Sequence, residues 1–165
     1  MARNLLPERN IHPGGDEIRY YCYTPALDGR IVCVYSNFTG AAWDDPNAEV
    51  GPPQGTLAEC IPAGCLFQEV IEFDNTRYSR DMSDFEIIIV GSKVNTVHRG
   101  WYHTRCIAAD ADASLANKPA YFDINGDHTT TAGSVCIGSF LGERDANGFA
   151  CVAIDIPRMG RQAGL

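Results

Sequence analysis

Residues 138–157 read Gly138-Ser139-Phe140-Leu141-Gly142-Glu143-Arg144-Asp145-Ala146-Asn147-Gly148-Phe149-Ala150-Cys151-Val152-Ala153-Ile154-Asp155-Ile156-Pro157. This stretch decides the fold. Ser139 to Arg144 has strand character, Asp145 to Gly148 is a turn, and Phe149 to Ile156 runs back. Asn-Gly is a strong hairpin signal, because both residues tolerate positive φ. Val152, Ile154 and Ile156 fall on one face of the return strand, with Phe149, Cys151 and Ala153 on the other. Small or apolar residues on both faces predict a strand buried on both sides or covered by a neighbour, in central or near-central pairing. The segment carries no obvious catalytic residue.

The same pattern extends towards the N-terminus. Pro119 to Ile124 is a strand followed by a second Asn-Gly turn, Asn125-Gly126, with a return from Thr129 to Thr131. Lys93 to Arg99 and Trp101 to Ile107 are strand-like and separated by Gly100, where a glycine inside a strand pattern signals a bulge or a close backbone approach. Glu86 to Val90 and Cys65 to Phe73 are further apolar strands, with polar sequence between them. Glu17 to Tyr23 and Arg30 to Tyr35 flank Asp28-Gly29 and predict a first hairpin. The structural turns are thus placed at Gly29, Gly126 and Gly148. The spacing predicts an all-β sandwich or barrel-like domain of about eight to nine short strands.

Domain organisation follows from composition. Residues 1–16, with two prolines and a Gly-Gly, form an extended N-terminal arm. Residues 17–157 form one β domain, interrupted by a long loop at 37–62, and 158–165 form a C-terminal tail. A short helix is possible between Thr56 and Cys60. Trp43 in the loop reads as a plug over the core. Ala108 to Ala116 is a helical turn or a loop. At 165 residues the chain is long enough to bury roughly 70% of its unfolded surface as one domain.

Charge narrows the function. A net charge of −8 argues against nucleic acid and against an anionic membrane surface as partners. No apolar run reaches the length of a membrane span, and the N-terminus has no signal-peptide core. Folding in a reducing cytoplasm is expected. Seven cysteines, Cys22, Cys33, Cys60, Cys65, Cys106, Cys136 and Cys151, then read mainly as small buried hydrophobes.

The chemical motifs are sparse. Asp123 to Asp127 begins like a calcium loop, but His128 and Ser134 stand where glycine and glutamate are required. His98, His103 and Cys106 are a candidate zinc set, although His98 and His103 face opposite ways on an unbroken strand. Cys60 and Cys65 flank a turn and form half a zinc site or a disulfide. GxSxG, GxxxxGK[ST] and GxGxxG are all absent. The expectation is a protein without catalytic, cofactor or metal residues.

Several short motifs recur in a recognisable order. They are Gly64-Cys65-Leu66-Phe67-Gln68-Glu69-Val70, Asp74-Asn75-Thr76-Arg77, Gly91-Ser92-Lys93-Val94 and Arg99-Gly100-Trp101. Lys118-Pro119-Ala120-Tyr121, Gly138-Ser139-Phe140-Leu141 and Asp145 to Val152 follow, with Ile154 and Pro157. This order resembles the capsid decoration (cement) proteins of tailed bacteriophages, over residues 64–157 and more loosely over 1–40. The start, Ala2 to Glu8, is similar to theirs. Ser139 stands where arginine is frequent in that family, and Ala150-Cys151 where alanine-lysine is usual.

The resemblance implies a non-enzymatic virion protein on the outer capsid surface, made in the host cytoplasm. Its partners would be the major capsid protein and copies of itself, a trimer being favoured over a dimer. The contact residues expected are Asn4, Leu5, Leu6, Pro7, Arg9 and Ile11 of the arm. The alternative from the residues themselves is a β-sandwich carbohydrate-binding module using Trp43, Trp101 and Tyr102.

Overall fold

The computed structural model describes residues 16–34, 49–72 and 87–156. The arm residues Asn4, Leu5, Leu6, Pro7, Arg9 and Ile11, the tail 158–165, Trp43 and residues 73–86 lie outside them. The domain is all-β, with eleven strands among the described residues: β1 Asp16–Cys22, β2 Ile31–Val34, β3 Glu49–Gly51, β4 Ile61–Leu66, β5 Glu69–Ile71, β6 Ile87–Ile89, β7 Ser92–Thr104, β8 Pro119–Phe122, β9 His128–Thr129, β10 Gly138–Phe140 and β11 Ala150–Asp155. One 3₁₀ turn, Leu57–Glu59, occupies the place where a short helix is possible from sequence.

Five strands close into a ring. β1 pairs β3 in parallel, β3 pairs β2, β2 pairs β4, β4 pairs β7, and β7 returns to β1. Closure removes the exposed edges that an open sheet of this size would leave. All five strands contribute to one apolar cluster: Tyr20 and Cys22, Val50, Val32, Ala63 and Leu66, and Val94. This is the barrel interior. Ala26 and Val70 belong to the same cluster and bond each other's backbone, bringing the small parallel pair β5–β6 against it.

The second half of β7 leaves the ring and begins another layer. From Arg99 to Thr104 it pairs with β11, which pairs β10, then β8, then β9. A second core lies between this layer and the outside of the β2–β4 wall. Ile31, Cys33 and Cys65 face it from the wall, and Tyr102, Val152, Ile154, Phe140, Ala120 and Phe122 from the layer. β2 and β4 are therefore buried on both faces: Ile31 and Cys33 point into one core and Val32 into the other.

Three contacts fix the two parts together. The Ile31 amide donates to the Gly126 carbonyl at 2.8 Å. Arg30 forks onto Asp127, Nε to Oδ1 at 2.8 Å and Nη2 to Oδ2 at 3.2 Å. The Thr104 hydroxyl donates to the Gly29 carbonyl at 3.1 Å. Gly126 has φ +80°, and a Cβ there would strike the Ile31 carbonyl oxygen. Glycine is thus required at this junction for conformation and for space.

The turns at Gly29, Gly126 and Gly148 all have positive φ, as the sequence predicts. In Asp123-Ile124-Asn125-Gly126 and Asp145-Ala146-Asn147-Gly148 the first aspartate does the same work. Asp123 Oδ1 accepts from the amides of Asn125 and Asp127, and Asp145 Oδ1 from those of Asn147 and Phe149. Asp-x-Asn-Gly is therefore a local Asx-type turn. Asp123 binds backbone donors and Asp127 binds Arg30, which accounts for the partial likeness to a calcium loop.

Several expectations are corrected. The loop at 37–62 is not loop throughout: 49–62 holds β3, the 3₁₀ turn and the start of β4. β1 and β2 do not pair as a hairpin, because β3 lies between them. The first strand begins at Asp16 rather than Glu17. The run from Cys65 to Phe73 is split between β4, which starts at Ile61, and β5. Pro62 is tolerated within β4 because the β2–β4 register slips there, between Val32 and Cys33. The irregularity in β7 falls at Val97 to Arg99, opposite Asp16 and Glu17, and not at Gly100. β10 ends at Phe140 rather than Arg144. Residues 108–116 form turns and loop, one of the two forms expected for them.

β11 lies between β7 and β10, the central position the hairpin predicts. Its Val152, Ile154 and Ile156 are buried, but Cys151 and Ala153 are only half-buried, so one face is covered and not two. Ile154→Asp places an unpaired carboxylate in the second core. It should lower unfolding free energy by about 3–5 kcal/mol in urea titration. A variant as stable as the wild type contradicts this placement.

Candidate interaction face

Strand period 2 sorts the residues of the second layer cleanly. On the inner side Tyr102, Thr104, Ala150, Val152, Ile154, Phe140, Ala120 and Phe122 are all buried. The outer side presents what alternates with them. Register turns that alternation into rows. Trp101 lies opposite Ala153, Ala153 opposite Ser139, and Ser139 opposite Pro119, so one row crosses four strands. A second row runs His103, Cys151 and Leu141, the last joined by its amide to the Cys151 carbonyl at 2.8 Å.

These outer residues are half-buried or exposed, and Leu141 is 52% exposed. None of the seven carries a carboxylate, an ammonium or a guanidinium. Within the paired part of the layer the charged residues Arg99 of β7 and Asp155 of β11 meet 3.8 Å apart at one end of the face. On a chain of net charge −8, an uncharged patch four strands wide is a local departure. One bulky indole stands beside the small residues Ala153 and Ser139, which gives the patch relief. Sequence reasoning missed this face. Its residues come from four separate segments, and only register aligns them.

Directly behind the face lies a buried polar group. The Tyr102 hydroxyl is 2.6 Å from His128 Nε2, and His128 Nδ1 is 3.0 Å from the Cys106 carbonyl oxygen. The carbonyl can only accept, so Nδ1 carries the proton and Nε2 accepts from the tyrosine. Cys65 is buried in the same core as Tyr102, its thiol donating to the Leu66 carbonyl at 3.8 Å. Burial raises the pKa of both Cys65 and Tyr102 well above the ordinary values. Burial also lowers the His128 pKa to about 4, against the opposing effects of the Cys106 carbonyl and the Asp123 charge. Tyr102, His128 and Cys65 have no exposed surface, so the network holds the layer to the barrel and meets no solute.

The remaining candidates separate in space. Tyr102 is fully buried and cannot present its ring to a sugar, which corrects its place in a carbohydrate platform. Trp101 is half-buried on the outer face. His98 is buried, His103 is on the outer face, and Cys106 lies buried near the Asp28 carbonyl. Among the described residues no three His, Cys, Asp or Glu side chains converge as a metal set would. Cys60 and Cys65 are both free, the Cys60 thiol donating to the Gln54 carbonyl at 3.2 Å and the Cys65 thiol to the Leu66 carbonyl at 3.8 Å. Glu143, outside the face, accepts from the amides of Leu115 and Ala116 and from Ser114 Oγ, which lowers its pKa. A cleft of about 400 Å³ lies elsewhere, between Pro25, Leu27, Pro52, Val70, Ile71 and Glu72.

The His128 network sets a pH dependence. The histidine titrates near 6.5 in the unfolded chain and near 4 in the folded one. Above pH 6.5 it is neutral in both states and contributes no slope. As pH falls below 6.5 the unfolded state takes up the proton first, so stability drops, and the full penalty is reached below pH 4. From this residue the loss between pH 6.5 and 5 should be about 2 kcal/mol. Urea titrations of the wild type and His128→Gln isolate it: the variant should have a shallower decline across that window. Equal slopes contradict the assignment.

No protein-family model matches the chain, and comparison with curated proteins finds no relative.

Proposed function

We propose that this chain is a non-enzymatic virion protein that decorates the outer surface of an assembled tailed-bacteriophage capsid and stiffens it against internal DNA pressure. The single observation that supports this best is the uncharged outer face of the second layer, carried on a continuous core. A face of four hydrogen-bonded strands is suited to binding another protein surface without rearrangement. The order of short motifs from Gly64 to Pro157 supports the same reading, since that order resembles capsid decoration proteins.

In this reading the major capsid protein is the partner. Weak single contacts become effective because many copies sit on one lattice. Trp101 provides the anchor, and Ala153 and Ser139 leave room beside it for a projecting side chain of the shell. The arm residues Asn4 to Ile11 add a second contact, either to the shell or to a neighbouring copy, and self-association as a trimer is part of the same proposal. The acidic remainder of the surface limits contact to the uncharged face and the arm.

A carbohydrate-binding module is the second reading. The observation favouring it is the half-buried Trp101 on the outer face of the sheet, where an indole can stack on a sugar ring. It draws no support from Tyr102.

One substitution separates the two. Ala153→Arg projects a charge from the middle of the outer row and leaves both cores intact. Its co-sedimentation with intact capsids should fall at least tenfold relative to wild type, with unfolding free energy unchanged within about 0.5 kcal/mol. Undiminished capsid binding by a folded Ala153→Arg protein overturns the role of this face. Quenching of wild-type tryptophan fluorescence by oligosaccharide, without capsid binding, favours the second reading.

A further inference from the structure

We propose that Asn147 is a site of selective, spontaneous deamidation: its side-chain amide is hydrolysed to a carboxylate in the folded protein, while the equivalent Asn125 is protected. This does not depend on the function proposed above.

The chain contains two Asn-Gly pairs, Asn125-Gly126 and Asn147-Gly148, each closing an Asp-x-Asn-Gly turn. Glycine after asparagine leaves its backbone nitrogen unobstructed by a side chain, so that nitrogen can reach the asparagine Cγ. The two turns share their internal bonds. Asp123 Oδ1 accepts from the amides of Asn125 and Asp127, both at 2.8 Å. Asp145 Oδ1 accepts from those of Asn147 and Phe149, at 2.8 and 2.9 Å. The Gly126 and Gly148 amides each donate to the carbonyl of the first aspartate at 3.0 Å. Attack on Cγ therefore requires the turn to open, and its rate depends on what that opening disrupts.

Here the two turns differ. The first is built into the junction of barrel and layer. Gly126 is buried against the Ile31 carbonyl, and its own carbonyl accepts from the Ile31 amide at 2.8 Å. Arg30 holds Asp127, and Asn125 Nδ2 donates to Asp123 Oδ2 at 3.1 Å. Opening this turn breaks the ties between the two cores and approaches global unfolding. The second turn lies in the loop joining β10 to β11. Residues 143–147 are exposed, and a Cβ on Gly148 would meet nothing within 4 Å. Among the described residues the Asn147 carboxamide has no hydrogen-bond partner. Opening this turn breaks only bonds within itself.

In the opened turn the Gly148 nitrogen bonds to Asn147 Cγ as the Cγ–Nδ2 bond breaks. The nitrogen's proton leaves with the departing group as ammonia, and a cyclic imide remains. Water adds to either imide carbonyl and opens the ring to aspartate or to isoaspartate. The net reaction consumes water and releases ammonia, with no oxidation or reduction. The product adds a negative charge to a chain already at −8. Isoaspartate also inserts a methylene into the main chain, between the amides that Asp145 holds.

The test incubates the purified full-length chain at mildly alkaline pH, folded in buffer and unfolded in urea, and quantifies acid products at both sites by peptide mapping. In the folded protein Asn147 should convert at least about tenfold faster than Asn125, and in urea the two should agree within about threefold. Arg30→Ala, which releases Asp127, should raise conversion at Asn125 and leave Asn147 unchanged. The wild-type comparison decides even if that variant folds poorly. Equal rates at the two sites in the folded protein, or an Asn147 that converts only in urea, would overturn the proposal.

Discussion

The strand β7 is the constraint on which the rest of this molecule depends. Its first half closes the barrel against β1 and β4, and its second half starts the outer layer against β11. Val94 points into the barrel interior, while Val97 and Tyr102 belong to the second core. A regular strand could not serve both cores with that set of residues, because side chains an odd number apart fall on opposite faces. The irregularity between Val97 and Arg99 resolves the parity. With the parity resolved, Trp101 and His103 are turned outward and Tyr102 and Thr104 inward. The outer face thus follows directly from how one strand is shared.

Rigidity of that face has an identifiable source. The Asp123–Gly126 turn sits on Ile31, Arg30 forks onto Asp127, and the Tyr102–His128 pair is sealed between layer and barrel. Each of these ties an element of the outer layer to the start of β2 or to β7. A surface held from behind loses little conformational entropy on docking, as the proposed capsid-decorating role would require. The chain spends its polar groups on turns and on these ties. Asp123 and Asp145 hold backbone amides, Glu143 holds the turn at Leu115, and Asp112 meets Lys118 at 2.6 Å.

Local signals were readable from sequence and non-local ones were not. The Asp-x-Asn-Gly turns announce themselves because their chemistry lies within four residues. Val152, Ile154 and Ile156 declare the buried face of β11 by simple alternation. β3 could not be seen: three residues, Glu49–Gly51, followed by two prolines, carry no period, and they form a strand only because β1 and β2 flank them. The same insertion explains why the obvious hairpin of β1 and β2 does not form. The candidate site was illegible for a related reason. Trp101, Ala153, Ser139 and Pro119 are neighbours only through register.

If β7 makes the barrel and the outer layer one cooperative unit, neither can open without the other. Native-state hydrogen exchange of the β7 amides across rising denaturant tests this directly. The account predicts that Val94 and Val97 on the barrel side, and Tyr102 and Thr104 on the layer side, converge on one unfolding free energy, within about 1 kcal/mol. Two separate classes, with one half of β7 opening at much lower free energy while the other stays protected, would contradict it.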